Sequence, residues 1–176
     1  MSFELMPEFS SRNIVNYNLI NEIMETNEKS EEYGFALLEK DAEIIVKVGK
    51  EAMTVHDRIE IGKSVTVKII EKFIQSTYIS PREYAETIAK LIEIFYEVKE
   101  ESLDFLDDDE VIEIMFNFFE TQSMGSLELL QSRDMDYLCQ QIRKTAYGIL
   151  EDEQKKEEFF DEWNKWANSF YRVQYW

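Results

Sequence analysis

Turn-forming residues are scarce in this chain, which contains five glycines and two prolines among its 176 residues. Glycine and proline are the strongest local breakers of regular structure, so their scarcity predicts long elements with few connections. From residue 13 onward, apolar residues recur at three- and four-residue steps, which is the period of amphipathic helices. Hydrophobic residues make up 44% and charged residues 32% of the chain, a globular composition. The sequence therefore predicts a single all-α domain over residues 1–176.

The periodicity predicts a compact bundle of about seven helices. The fourth has the clearest start, because Ser80 is suited to cap it, Pro81 to open it and Glu83 to complete a capping box. The fifth, at about 107–120, is apolar on nearly every side, which predicts a central position. After Gly125 we expect a short helix, and then one capped by Ser132 that runs to 149. The remaining helices are expected at about 13–26, 39–57, 63–76 and 152–176.

The chain lacks the residues that several functional classes require. Cys139 is the only cysteine, which excludes a disulfide framework and a thiolate metal cluster, and we expect it to be a buried structural thiol. His56 is the only histidine, which excludes a ferritin-type di-iron site. The chain contains no glycine-rich nucleotide motif, so no cofactor is expected. Neither a signal peptide nor a membrane span is evident, which predicts a cytoplasmic protein.

The formal net charge of −18 narrows the choice of partners. A body this negative is repelled by nucleic acid phosphates and by anionic lipid, so we expect no direct binding to nucleic acid or to membranes. It attracts basic protein surfaces instead. Solubility alone also accounts for many acidic compositions.

Half of this charge lies in one segment, residues 96–120, with ten acidic residues and one lysine. Asp107–Glu110 open the fifth helix, where carboxylates satisfy free N–H groups and favour the helix dipole. Three others crowd the last turn of the fourth helix, where the dipole disfavours negative charge. A local rule broken without evident compensation marks a candidate site. The predicted partner-binding acids are Glu97, Glu100, Glu101, Asp104, Asp107 and Asp108.

The same segment permits a second hypothesis, a magnesium-dependent hydrolase. The spacing excludes an EF-hand, because a loop that starts at Asp107 has Val111 at position 5 and Ile112 at position 6. A looser site that uses the carboxylates between Glu97 and Glu113 remains open, since some all-helical hydrolases pair acids three residues apart.

The end of the chain is the second informative region. Phe159, Trp163, Trp166 and Phe170 follow the helical step and form an aromatic stripe. Such a stripe either docks on the bundle or contacts a partner, since aromatic residues dominate both cores and interfaces. We expect docking, with a small homodimer contact at Tyr175 and Trp176. A homodimer contact through the stripe itself is the alternative. Trp163, Trp166 and Trp176 are therefore candidate partner-binding residues.

Three blocks resemble a known family: "SPREYAETIAKLIEIFYEVKEESLDFLDDDEVIEIMFNFFE", "GSLELL" and "YGFALLEKDAEIIV". Over roughly residues 33–143, the chain is similar to an uncharacterised all-helical domain of unknown function from anaerobic Gram-positive bacteria. The resemblance implies an all-α cytoplasmic protein and implies no activity, ligand or site residue.

The function that the sequence favours is a non-enzymatic interaction module that presents its acidic segment to a basic protein surface. A close variant is a nucleic-acid mimic that blocks a nucleic-acid-binding protein. The magnesium-dependent hydrolase is the alternative from a different class.

Overall fold

The computed structural model describes residues 11–60 and 64–149, together with single positions at Glu158, Asp161 and Lys165. All regular structure within these residues is helical, which confirms the all-α prediction. The first five long helices are α1 (Ser11–Glu25), α2 (Glu39–Val55), α3 (Val65–Phe73), α4 (Tyr84–Glu101) and α5 (Asp108–Thr121). The sixth, α6, joins Leu127–Leu129, a π-helical segment Leu130–Met135 and Asp136–Ile149 without a break.

The described residues thus form six long helices, whereas the sequence predicted about seven. The difference arises in α6, which the prediction divided at Ser132. Instead of capping a new helix, Ser132 lies inside the π-helical segment and its hydroxyl donates to the carbonyl of Glu128 at 2.6 Å. The polar residues around Ser132 have the composition of a helix start. The Ser132 side chain, however, hydrogen-bonds a main-chain carbonyl of the same helix and starts no new one. The predicted C-terminal helix lies outside the described residues, except for three positions that are helical.

Among the described helices, α4 packs most extensively against its neighbours. It packs mainly against α2, and it also contacts α3, α5 and α6, whereas α5 contacts α3, α4 and α6. The structure therefore does not confirm the prediction that the fifth helix is central. One side of α5 remains partly open, because Phe116 and Asn117 are only half-buried. On α4, the helical spacing of Tyr84, Ile88, Leu91, Phe95 and Val98 predicts a buried stripe, and all five side chains are buried.

The start of α4 differs from the prediction. The helix begins at Tyr84, and residues 81–83 form a turn. The hydroxyl of Ser80 donates to the carboxylate of Glu83 at 3.1 Å and caps no N–H of the helix. The motif that predicted a capping box therefore stabilises a turn that leads into the helix.

The connection between α1 and α2 is held by Asn27. A short helix, Asn27–Ser30, and a 3-10 turn, Glu31–Tyr33, follow α1. The Asn27 amide donates to the carbonyl of Leu37 and accepts from its N–H, both at 2.8 Å. This double contact fixes the extended residues that precede α2, and it places Phe35 in stacking contact with Tyr84, with ring centroids 4.6 Å apart.

In α1, Tyr17, Ile20 and Met24 follow the helical step, which predicts that they share one face. Ile20 and Met24 are partly buried against the core, but Tyr17 is exposed, and Ile23 is fully buried instead. Among the described helices, none is both long enough and apolar enough to cross a membrane.

Candidate functional site

The last turn of α4, where three acidic residues break the dipole rule, is compensated by residues from α6 and from the end of α2. The three pairs are Glu97 with Gln131, Glu100 with His56, and Glu101 with Arg143. Arg143 also donates through Nε to the main-chain carbonyl of Glu101 at 2.7 Å, so a cation satisfies a free carbonyl at this helix end. The compensation that the sequence did not reveal is therefore present in the fold.

The lysine of the acidic segment, Lys99, lies at the centre of a second group of contacts. Its side chain is only 12% exposed, and its Nζ is 3.1 Å from Asp108 Oδ1 and 3.6 Å from Asp104 Oδ1. The same Nζ donates to the carbonyl of Leu106 at 2.7 Å. Arg58 pairs with Asp104 from the other side. Lys99 and Arg58 therefore neutralise the acids of the loop between α4 and α5.

The acids that open α5 form the predicted helix start. Asp107 Oδ1 accepts from the N–H of Glu110 at 2.8 Å, and Glu110 Oε2 accepts from the N–H of Asp107 at 2.7 Å. This reciprocal pair is a capping box. The prediction that these carboxylates serve as ordinary helix-start residues is confirmed.

The remaining acids of α5 face α3 and the segment after it. Asp109 pairs with Lys68 at 2.9 Å, and the hydrogen bond raises the pKa of Lys68. Glu113 pairs with Lys72, and Glu120 accepts from the hydroxyl of Ser76. Each of the ten carboxylates of residues 96–120 thus has a partner within the described chain. Partner binding by the six predicted acids stays a prediction, and an incoming partner would have to compete with these contacts.

The arrangement offers no metal site among the residues that the structure describes. No group of three or more His, Cys, Asp or Glu side chains is placed there to hold a metal ion. In the acidic segment, Lys99 and Arg58 lie between carboxylates that a cation would need to share. Trp163, Trp166 and Trp176, the other predicted partner-binding residues, lie outside the described residues.

The two residues with the greatest intrinsic reactivity have structural roles. His56 forms the C-terminal cap of α2 and hydrogen-bonds Glu100 through Nδ1. Cys139 is buried, and burial, with the negative charge of Glu101 as a further cause, raises the pKa of its thiol to about 12. A thiol that stays protonated at neutral pH is a poor nucleophile. The prediction of a buried structural thiol is confirmed.

A groove that the sequence analysis missed lies between the start of α4 and the start of α6. We call it the Tyr78 groove, and its volume is about 490 Å³. Its apolar surface comes from Tyr78 and from the residues Ile79, Ala89, Phe119 and Leu127. Four residues on one face of the α4 region supply its charged edge: Glu83, Glu86, Lys90 and Glu93.

The charges of the Tyr78 groove are less compensated than those of the acidic segment. Lys90 Nζ pairs with Glu93 at 3.0 Å. Glu83 and Glu86 have no cationic partner among the described residues. The spacing of these four residues indicates a solvated helix face, but part of the apolar side of the groove comes from Phe119 and Leu127, which lie some thirty to forty positions away. That is why the sequence pattern alone did not reveal a groove here.

Gly125 allows the groove to close at one end. Its φ is +82°, and a Cβ at this position would lie 2.5 Å from the Cβ of Tyr78. Glycine adopts this backbone conformation without steric cost and leaves room for the ring. The absence of a side chain at Gly125 therefore leaves room for Tyr78 at this end of the groove.

A second groove lies beside the π-helical segment of α6. We call it the Tyr137 groove; its volume is about 420 Å³, and Phe118, Gln122, Tyr137 and Gln140 line it. Next to them is Asp134, whose side chain is 3% exposed and accepts from Ser123 at 2.7 Å and from Arg133 Nε at 2.8 Å. These bonds tie the loop before α6 to the π-helical segment.

Comparison with known protein families gives a match to a family of unknown function. The model of a family of unknown function, DUF6323, matches residues 22–148, which is more than half of the chain. The chain belongs to this family. The DUF6323 match extends beyond both ends of the resemblance expected from the sequence, and it includes both grooves. It gives no organism, so the bacterial source stays a prediction. No curated protein and no solved structure matches the chain.

Proposed function

We propose that this protein is a non-enzymatic interaction domain that binds a basic, amphipathic segment of a partner protein in the Tyr78 groove. The observation that carries the proposal is the combination of an apolar floor with uncompensated carboxylates at its edge. The partner chemistry is the one that the sequence predicted. We propose the groove instead of the acidic segment as the place of binding, because Glu83 and Glu86 have no cationic partner among the described residues.

The apolar floor of the Tyr78 groove supports a partner segment with an apolar side. A volume of about 490 Å³ lies within the usual range of binding clefts. Ile79 and Phe119 are buried, and Leu127 packs against the core, so the surface that they present is firmly placed. Apolar side chains at three- and four-residue spacing on a helix fit grooves of this kind.

The charged edge of the Tyr78 groove supports a partner segment that is basic. A lysine or arginine beside Glu83 or Glu86 replaces no internal ion pair among the described residues. In the acidic segment, by contrast, six of the ten carboxylates already pair with a lysine, arginine or histidine side chain that an incoming cation would have to displace. Complementary charge raises the association rate and fixes the register of a complex. The net charge of −18 adds long-range attraction for a basic partner.

The alternatives gain less support. A magnesium-dependent hydrolase needs several carboxylates around one ion, and the described residues contain no such group. A nucleic-acid mimic needs an extended array of free acids, whereas Lys68, Lys72 and Lys99 interrupt the acidic segment. A bacterial source and a cytoplasmic location belong to this proposal as expectations from the sequence.

The experiment uses a synthetic amphipathic helical peptide of lysine and leucine as the probe. We expect it to bind the full chain and to shift backbone amide resonances of residues 78–93 and 119–127. Glu83→Lys/Glu86→Lys should weaken binding about tenfold or more, since 1.4 kcal/mol corresponds to a factor of ten. Glu28→Lys/Glu32→Lys is the matched control, because it makes the same charge change at exposed acids outside the groove.

Equal weakening by the two double variants would contradict the proposal, because it would show that only net charge matters. A peptide with serine in place of leucine tests the apolar floor and should bind more weakly. Ala89→Trp tests the groove from the protein side, since Ala89 is only partly buried and a larger side chain there fills the cavity. Unchanged affinity for this variant would place the binding site elsewhere.

A further inference from the structure

We propose that Lys90 selects among basic segments for the Tyr78 groove, because it requires one acidic residue within an otherwise basic helix of the partner. This inference rests on the proposed function and adds the charge pattern that the partner segment carries. It follows from the order of the charges along the groove and from the exposure of the ion pair that Lys90 makes.

The charged edge of the Tyr78 groove changes sign along its length. Glu83 and Glu86 come first, and Lys90 and Glu93 follow; all four line the groove. Lys90 lies four residues after Glu86 and three residues before Glu93, so these side chains share one face of α4. At a rise of about 1.5 Å per residue, they are spaced by about 6 Å and about 4.5 Å along the helix axis. The edge therefore presents one positive charge between negative charges.

The Lys90 side chain is accessible to a bound segment. It is 40% exposed, and its Nζ is 3.0 Å from the carboxylate of Glu93, whose side chain is 48% exposed. An ion pair this exposed contributes little to stability, because water screens both charges. A bound segment can therefore replace this pair by two pairs of its own, one with Lys90 and one with Glu93, at little cost.

The spacing of the edge defines the matching partner. A helix that lies along α4 has the same rise per residue, so its charges must recur at the same steps. Opposite Lys90, a lysine or arginine is repelled, whereas a glutamate or aspartate forms a pair. The matching helix thus has the order basic, basic, acidic, basic at steps of three, four and three residues, read in either direction. A uniformly basic helix meets one repulsive contact, and specificity arises from that repulsion as well as from attraction.

Helical peptides of leucine, lysine and glutamate test this pattern. Each has three lysines and one glutamate on a charged stripe with steps of three, four and three residues. In two isomers the glutamate takes an inner position, which matches Lys90 in one direction of binding or the other; in the third it takes a terminal position. We expect the full chain to bind one inner isomer about tenfold more tightly than the terminal isomer, since two exposed pairs change from attraction to repulsion. The isomers have equal net charge, so long-range attraction does not distinguish them.

Substitution of Lys90 shows whether this residue makes the selection. Lys90→Glu should abolish the preference, because each isomer then places its glutamate beside an acid. Lys90→Gln should reduce it to about threefold, since the position opposite Glu93 alone still distinguishes the isomers. Lys47→Glu is the matched control, because Lys47 also pairs with an acid of its own helix, Glu51 at 3.8 Å, but lies outside the groove. This variant should keep the full preference.

Two results would overturn the proposal: equal affinity of the wild type for all three isomers, and equal loss of the preference in Lys90→Glu and Lys47→Glu. Either result leaves the proposed function standing if the peptide of lysine and leucine still binds Glu83→Lys/Glu86→Lys more weakly than the wild type. Failure of every peptide to bind the wild type would contradict the proposed function, and this inference with it. Far-UV circular dichroism checks that the variants fold. Should Lys90→Glu not fold, Lys90→Gln makes the same test without a new negative charge on α4.

Discussion

At Gly125, a left-handed backbone coincides with a close approach to Tyr78, and the two effects can be separated. Gly34 has the same φ of +82°, but a Cβ there would meet nothing within 4 Å. Gly34→Ala should therefore cost only the backbone strain, about 1–2 kcal/mol. Gly125→Ala should cost more, because it also forces Tyr78 out of position. Urea unfolding of the two variants measures the difference, and equal losses would show that Tyr78 moves freely.

Cys139 gives a second prediction at this scale, a pH dependence. Its thiol has an ordinary pKa of 9.0, and burial raises the pKa in the folded chain to about 12. Between these values the folded state binds more protons than the unfolded state, so its stability falls as pH rises. Cys139→Ala should lose less stability across this window, by up to about 1.4 kcal/mol per pH unit. Parallel curves of unfolding free energy for the wild type and the variant would contradict the buried thiol.

At the scale of single helices, the predictions that succeeded concern residues that are close together in the sequence. Asp107 and Glu110 are three residues apart at the start of α5, and their role as helix-start carboxylates was predicted correctly, although the reciprocal capping box that they form was not. The apolar stripe of α4 was predicted for the same reason, since periodicity is local. The prediction for Ser80 was wrong although Glu83 is also only three residues away, because the same residues can form either a capped helix start or a turn.

The compensation of the α4 end could not be predicted, because its partners are distant in sequence. His56 is 44 residues from Glu100, and Arg143 is 42 residues from Glu101. Pairing at such separations depends on helix packing, which the pattern of one helix does not encode. The acids in the last turn of α4 looked like a functional exception to the dipole rule, and the fold shows that they connect helices.

This interpretation predicts that two matched double substitutions change the stability in opposite directions. Glu22 and Glu25 lie in the last turn of α1 and have no cationic partner among the described residues, so Glu22→Gln/Glu25→Gln should raise stability by a few tenths of a kcal/mol. Glu100→Gln/Glu101→Gln should lower it by about 1 kcal/mol, because it weakens the contacts with His56 and Arg143. Thermal melts at low salt measure both. A gain in both pairs would show that the contacts of the α4 end contribute nothing.

At the scale of the whole molecule, the acidic residues that give the chain its net charge of −18 form two populations. Those of residues 96–120 have internal partners. Others are exposed without a cationic partner in the described part of the chain; around the end of α1 they are Glu22, Glu25, Glu28, Glu31 and Glu32. The sequence correctly indicated an excess of negative charge, but it placed the uncompensated part in the wrong segment.

The two populations respond to salt in opposite directions. Salt weakens the internal pairs, which lowers stability, and it weakens repulsion among the unpaired acids, which raises stability. Because the pairs are partly buried and the unpaired acids are exposed, screening acts mainly on the repulsion. We therefore expect the midpoint of urea unfolding to rise as NaCl increases from 0.01 to 0.1 M, where the Debye length falls from about 30 to about 10 Å. Glu22→Gln/Glu25→Gln should reduce the rise, because two repelling charges are absent. A midpoint that falls with salt would show that the ion pairs of residues 96–120 outweigh the repulsion in this fold.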